Sequence, residues 1–250
     1  ARLEENLQAQ QRFIADAAHQ MRTPLTGLRM QTDLAMMETD PVQVHRSLIH
    51  ISQSAERAGH LINQLLSLAR AEASYEKIYA VERVDLETLL RAMLSDFVPR
   101  ARQKNIDFGL ETTGEPLLID GNPVLLGELV KNLIDNAIKY TPEGGCVTVR
   151  TIATERAILE VEDTGIGVPD VDRERVFERF YRVLGSTESG SGLGLPIVRE
   201  IADLHPAKVS LIPNPSGKGT IAQVVFPRSR AGEEAPTPET RIPADQFPPA

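Results

Sequence analysis

The sequence predicts an α + α/β architecture: a helical hairpin followed by a two-layer α/β domain. Two observations carry this. The first third repeats its apolar residues every three and four positions, the period of helices packed at a shallow angle. From about residue 84 onward, helical and alternating patterns are interleaved, as in a sheet covered by helices. A chain of 250 residues with 41% hydrophobic and 25% charged side chains has room for both units.

The elements follow in order. Leu7, Ile14, Met21, Leu28 and Ala35 recur every seventh residue, with Leu3, Gln10, Ala17, Pro24 and Gln31 at the alternate seam position. A second seam runs through Val44, Leu48, Ile51, Ala55, Ala58, Ile62, Leu65 and Ala69. Between them, in "ETDPVQ", Asp40 is placed to cap the second helix and Pro41 suits its first turn. Residues 1–73 therefore read as an αα-hairpin. Two helices bury little on their own, so a dimeric four-helix bundle is the expected completion, with a monomeric hairpin packed on the rest of the chain as the other solution. Residues 74–83 read as a linker.

Residues 84–228 read as the second domain. "DLETLLRAMLSDFVPRARQ" is expected as one helix, "IDFGLE" as a strand and "PVLLGELVKNLIDNAIKYT" as a helix with Pro123 near its start. "CVTVRTI" and "AILEVED" alternate like half-buried strands and are expected to pair. "LGLPIVREIADLH" is a helix, followed by short strands near "KVSLI" and "TIAQVVF". Residues 229–250 hold five prolines and almost no apolar side chains, so they cannot build a core and are expected to be a disordered tail.

Composition excludes several functions. A formal net charge of −8 argues against nucleic-acid binding, which calls for clustered Lys and Arg. The single cysteine, Cys146, allows no intrachain disulfide. No apolar run approaches the ~20 residues that span a bilayer. The chain opens "ARLEENLQAQQRF", without Met and already in a helical pattern, so it reads as a piece of a longer protein. A membrane span is expected only in such a missing N-terminal region.

Four stretches carry chemistry. In "FIADAAHQMRTPLTGL", His19 falls at the most exposed heptad position, and Pro24 clashes with the carbonyl of Gln20 four residues back. That distorts the helix beside an exposed imidazole; taken alone, the pattern also suits a surface histidine near an incidental kink. In "ELVKNLIDNAIKYTPEGG", Glu128, Asn132, Asn136 and Tyr140 share one helical face with Lys139 beside them, while Leu129, Leu133, Ile134 and Ile138 form the other. Amide and carboxylate oxygens suit Mg²⁺, and lysine suits phosphate; a solvated polar face is the plain alternative. In "VEDTGIGVP", Asp163 ends a strand and Gly165 and Gly167 follow, a turn that lets backbone approach a ligand, although Asp-x-Gly turns are common. In "GSGLGLPIV", Gly190, Gly192 and Gly194 lead into an apolar helix, whose free N–H groups form an anion site. A dinucleotide fold does not fit, because no strand leads directly into these glycines. "VFERFYRVLGSTESGS" between the last two reads as a mobile lid.

Together and in this order, across about residues 5–227, these stretches resemble the sensor histidine kinases of two-component systems. "FIADAAHQMRTPL" is similar to the family's H box, "NLIDNAIKYTP" to its N box, "VEDTGIGVP" and "GSGLGL" to its two glycine boxes and "VFERFYR" to its F box. The resemblance implies a dimerisation and phosphotransfer hairpin followed by an α/β sandwich of the Bergerat type, shared by gyrase, Hsp90, histidine kinases and MutL. It implies ATP and Mg²⁺ as cofactors and a response-regulator receiver domain as partner. It also implies a homodimer through the hairpin, in the cytoplasmic portion of an inner-membrane sensor.

Residue by residue, His19 would be the phosphoacceptor. Thr23 would orient water for dephosphorylating the partner. Asn136 would hold Mg²⁺, supported by Asn132 and Glu128. Lys139 would reach a phosphate and Tyr140 would line the nucleotide pocket. Asp163 would accept from the adenine amino group, and Gly165 and Gly167 would shape the adenine pocket. Gly190, Gly192, Gly194 and Leu195 would form the phosphate turn, and Arg179 and Phe180 the lid hinge. The departure is Gln20, where the family usually has Glu or Asp. Glutamine accepts a hydrogen bond from the imidazole but is no base near neutral pH. The other readings are a phosphatase-dominant sensor, a non-catalytic ATP-binding scaffold, and a chaperone- or gyrase-type ATPase, which has no reason for the H-box hairpin.

Overall fold

A computed structural model describes residues 22, 25–73, 81–183, 188 and 190–229. His19, Gln20, Thr23 and Pro24 lie outside the described residues, as do 74–80 and 230–250. Helix α1 is described over residues 25–37, and α2 spans Pro41–Ala73. Asp40 caps α2 as its position predicts: Oδ1 accepts from the Val42 amide at 3.0 Å. The hairpin leaves large apolar side chains in solvent, among them Leu25, Leu34, Leu48 and Ile62.

The rest is a two-layer α/β domain. Its main sheet has the order β2-β4-β5-β7-β6, with β2 (Asp107–Glu111), β4 (Cys146–Ala153), β5 (Arg156–Asp163), β6 (Lys208–Pro213) and β7 (Thr220–Pro227). Strand β2 runs parallel to β4, and the other pairs are antiparallel. The expected β4–β5 pairing is present, with Val147 opposite Asp163. Helices α5 (Pro123–Tyr140) and α6 (Gly194–Leu204) pack on each other and on one face of the sheet; α2 lies against α6. Val149, Leu159 and Val224 from the sheet meet Leu129, Ile134 and Ile197 in the core, each at most 1% exposed.

Three details differ from the sequence reading. The single helix expected over 85–103 is two, α3 (Leu86–Leu94) and α4 (Val98–Gln103). Pro99 is the reason: it cannot donate to Ser95, and its ring collides with that carbonyl. Second, β1 (Glu82–Asp85) pairs with β3 (Leu118–Gly121) in a separate two-stranded sheet, so Glu82 and Arg83 are strand rather than linker. Third, Ser229 is buried and donates its amide to Leu118 O at 2.9 Å, so the first residue of the expected tail belongs to the fold.

The start of α5 and the end of α6 are locked by one buried histidine. His205 Nε2 accepts from the Asn122 amide at 3.0 Å, and Nδ1 bonds Ile201 O at 2.7 Å. Asn122 in turn caps α5 by accepting from Val124 and Leu125, both at 3.0 Å. Burial holds the imidazole below its usual range, partly offset by the bond to Ile201. A histidine lowered in the folded state contributes stability above the unfolded value of about 6.5 and loses it as pH falls from there through the folded value, at about 1.4 kcal/mol per unit of separation. Thermal unfolding between pH 7 and pH 5 checks this: the wild type should lose stability over that window, and His205→Gln should show a flatter profile from a lower starting point.

Candidate active site

The polar face of α5 points at the start of α6. Leu129, Leu133, Ile134 and Ile138 are buried, which fixes the helix and turns Asn132 and Asn136 outward from the core. Asn132 Nδ2 donates to Glu128 O at 2.8 Å, leaving Oδ1 free to face the glycine turn. A Cβ added to Gly194 would stand 3.3 Å from Asn132 Oδ1 and 3.2 Å from Asn136 Nδ2. One turn further along α5, the Lys139 ammonium lies where a Cβ on Gly190 would be and 4.8 Å from the Tyr140 ring centre. Helix α6 begins at Gly194 with no side-chain cap, so its first amides are available to an anion. Leu195 packs against the core and anchors that turn.

The F-box segment closes the same turn. Phe180 has φ +63°, strained for a non-glycine residue, and donates its amide to Gly192 O at 2.8 Å. Gly192 has φ +72°, and a Cβ there would come within 2.7 Å of the Phe180 backbone. Arg179 reaches Glu200 of α6 at 3.9 Å, and Arg199 sits 4.0 Å over the Phe177 ring while bonding Glu174 at 3.1 Å. The segment is thus docked on α6 at two points.

Asp163 sits at the end of β5, beside the end of α5. Its Oδ1 accepts from Gly165 N at 2.8 Å and Thr220 N at 3.3 Å. Among the described residues, no hydrogen bond reaches Oδ2. Burial pushes the Asp163 carboxyl above the usual range; the bonds from Gly165 and Thr220 offset part of that. Gly165 is forced, because a Cβ would lie 2.6 Å from Tyr140 O. Lys104 ties off the end of α5, donating to the carbonyls of Ile138, Lys139 and Thr141 at 3.0, 2.8 and 3.0 Å.

The structure therefore brings Asn132, Asn136 and Lys139 to the turn of Gly190, Gly192 and Gly194, with Arg179 and Phe180 behind it. Tyr140, Asp163, Gly165 and Gly167 form the adjoining end. Glu128 contributes its backbone carbonyl two turns upstream of Asn136. The sequence reading missed the turn of residues 214–219 and Thr220. "NPSGKGT" signals a turn, but no local pattern says that it reaches Asp163. Gly219, at φ +97°, lies directly on Asp163: a Cβ would overlap its carbonyl oxygen at 1.9 Å. Gly219→Ala is accordingly expected to lower the melting temperature, at a cost of about 1–3 kcal/mol, by straining the turn. Calorimetric unfolding measures it.

This arrangement pairs hard oxygen donors, a cation and helix-terminal amides with a half-buried carboxylate acceptor. Two family models match the chain: the His Kinase A (phospho-acceptor) domain over residues 9–74, and the histidine kinase-, DNA gyrase B- and HSP90-like ATPase over residues 121–230. The sensor protein QseC of Escherichia coli K12 is 40% identical over 210 residues, covering 84% of this chain and 46% of its own. A solved structure of the mycobacterial sensor histidine kinase MprB is 34% identical with a TM-score of 0.52, covering 60% of this chain and 98% of that one.

The chain belongs to the sensor histidine kinases.

As in that family, a helical region precedes a mixed-sheet ATPase domain. The histidine kinase ThkA in complex with the response regulator protein TrrA shares the fold, with a TM-score of 0.74 over 90% of this chain and 64% of that one at 23% identity. This sensor histidine kinase spans about half the length of the curated relatives it matches. Among the described residues, no helix is long and apolar enough to cross a membrane.

Proposed function

We propose that this chain binds ATP between α5 and the glycine turn, autophosphorylates on His19 and passes the phosphoryl group to an aspartate of a response regulator. The observation that supports it best is the joint approach of Asn132, Asn136 and Lys139 to the turn of residues 190–194 at the start of α6. That end suits the phosphates and the Asp163 end suits adenine, so the nucleotide would lie along the end of α5. Asp163 accepts the adenine amino group, Gly165 and Gly167 shape its plane, and Tyr140 lines it. Gly190, Gly192, Gly194 and Leu195 hold the phosphates, while Arg179 and Phe180 hinge the lid.

The amide oxygens of Asn136 and Asn132, with Glu128 behind them, fit Mg²⁺ as hard donors. Bound there, the ion would neutralise phosphate charge. Lys139 and the α6 amides do the same from the protein side, so positioning and electrostatics supply most of the catalysis. Neutral His19 attacks the γ-phosphorus in line: its nitrogen forms the N–P bond as the bond to ADP breaks, and the ring proton is released.

Gln20 accepts a hydrogen bond from the imidazole and holds its tautomer, while water or Asp16 one turn back removes the proton. Gln20→Glu should therefore change the autophosphorylation rate between about pH 6 and pH 9, most where imidazole is largely neutral. An unchanged profile would sink this role for Gln20. Thr23 and the missing acid favour a second activity, dephosphorylation of the regulator.

The uncovered apolar side chains of α1 and α2 support dimerisation through the hairpin, over residues 1–73. The ThkA structure, in complex with a response regulator protein, supports a response regulator as the partner. The test is incubation with γ-labelled ATP and Mg²⁺. Acid-labile, alkali-stable label is expected. Retained ATP binding without label would favour a scaffold, and loss of label from a phosphorylated regulator alone would favour the phosphatase.

A further inference from the structure

The turn of residues 214–219 is governed by one side chain. Asn214 is buried, with 4% exposed. Its Nδ2 donates to Glu162 Oε1 and to Asp163 O, both at 2.9 Å, and its Oδ1 accepts from Ser216 N at 2.9 Å. Two acceptors on one side and a donor on the other fix the amide's orientation. The Asn214 backbone closes the turn: its amide donates to Gly219 O at 3.3 Å, and its carbonyl accepts from Gly217 at 2.9 Å.

Two consequences reach Asp163. Anchoring Asn214 to Asp163 O lays Gly219 against the same carbonyl and brings the Thr220 amide to Asp163 Oδ1 at 3.3 Å. That leaves Oδ2 as the open acceptor. Asn214 also holds the neighbouring carboxylate. Glu162 stands on the opposite face of β5, bonded to Arg150 at 3.0 Å and to Asn214 at 2.9 Å. An aspartate at 214 would set a second carboxylate against that of Glu162 and the Asp163 carbonyl. An alanine would leave both acceptors without this donor.

We propose that Asn214 is the positioning residue for purine selection: it holds the β6–β7 turn and Glu162 so that Asp163 presents Oδ2 to an exocyclic amino group. This rests on the nucleotide reading above and adds to it the residue that sets base preference.

The test compares dissociation constants of the full chain for ATP and for purine riboside triphosphate, which lacks the 6-amino group. The wild type should prefer ATP by about tenfold or more. Asn214→Asp should bring the ratio to within about threefold of one, with affinity for the analogue within about threefold of wild type. Asn214→Ala, which adds no charge, should move the ratio the same way by less, and stands in if the aspartate variant does not fold. A merely structural role would weaken both nucleotides equally. An equal loss, or an unchanged ratio in a folded variant, overturns the proposal while leaving the nucleotide site intact. A wild type that binds neither nucleotide, or does not distinguish them, instead overturns the reading of Asp163 on which the proposal rests.

Discussion

Replacing His19 by alanine is expected to abolish phosphoryl labelling from ATP and to leave nucleotide affinity unchanged. The two halves have separate physical grounds. The proposed nucleotide site draws only on residues 128–220, on a sheet and helices with their own buried core, so a substitution in the hairpin removes none of it. Labelling needs an accessible, neutral imidazole. His205 cannot replace His19, because it is buried with both ring nitrogens engaged. His45 and His50 are exposed on α2, and neither is followed five residues later by a proline as His19 is. His45→Ala and His50→Ala should therefore label like the wild type. Residual acid-labile label in His19→Ala would move the phosphoacceptor elsewhere.

Asp163→Asn is expected to weaken ATP binding by roughly ten- to a hundredfold, the worth of about 1.5–3 kcal/mol for a hydrogen bond to a charged group. Asparagine has nearly the same shape, and its oxygen can keep the bonds from Gly165 and Thr220. Its NH₂ then occupies the Oδ2 position and meets the adenine amino group donor to donor. Stability should move the other way. Burial raises the Asp163 carboxyl in the folded state, so its ionisation opposes folding at neutral pH, and the neutral amide relieves that cost. ATP affinity falling while the melting temperature of the free protein holds or rises is a signature that general damage does not produce. The wild type should also lose ATP affinity on acidification at a higher pH than an ordinary aspartate would, as the acceptor becomes protonated. Isothermal titration of ATP across pH and calorimetric melting of the free protein, each with wild type and variant, check these statements.

Much of this site was legible because its parts are local. The four-residue spacing of Glu128, Asn132, Asn136 and Tyr140 fixes their common face once Leu129 and Leu133 are buried. The glycines at 165, 192 and 194 stand where neighbouring backbone or amide groups leave no room, or little, for a Cβ. Asp40 and Pro123 announced the starts of α2 and α5 by capping chemistry alone. Pro99 carried a signal too, for the break between α3 and α4.

What the sequence by itself determined, then, is which residue types share a helix face and which turns need glycine, since those depend on periods of a few residues. Only the tertiary structure decided which of these surfaces meet. β1 and β3 are four residues each and find each other across the whole of α3, α4 and β2. Lys104 reaches the end of α5 from 34 residues away, His205 meets Asn122 across 83, and Asn214 and Thr220 reach Asp163 across 51 and 57. Such contacts form because burying the sheet and two helices in one core leaves each chain reversal one place to lie. No short-range pattern encodes that choice, and it is what turns an Asp-x-Gly turn into an oriented acceptor.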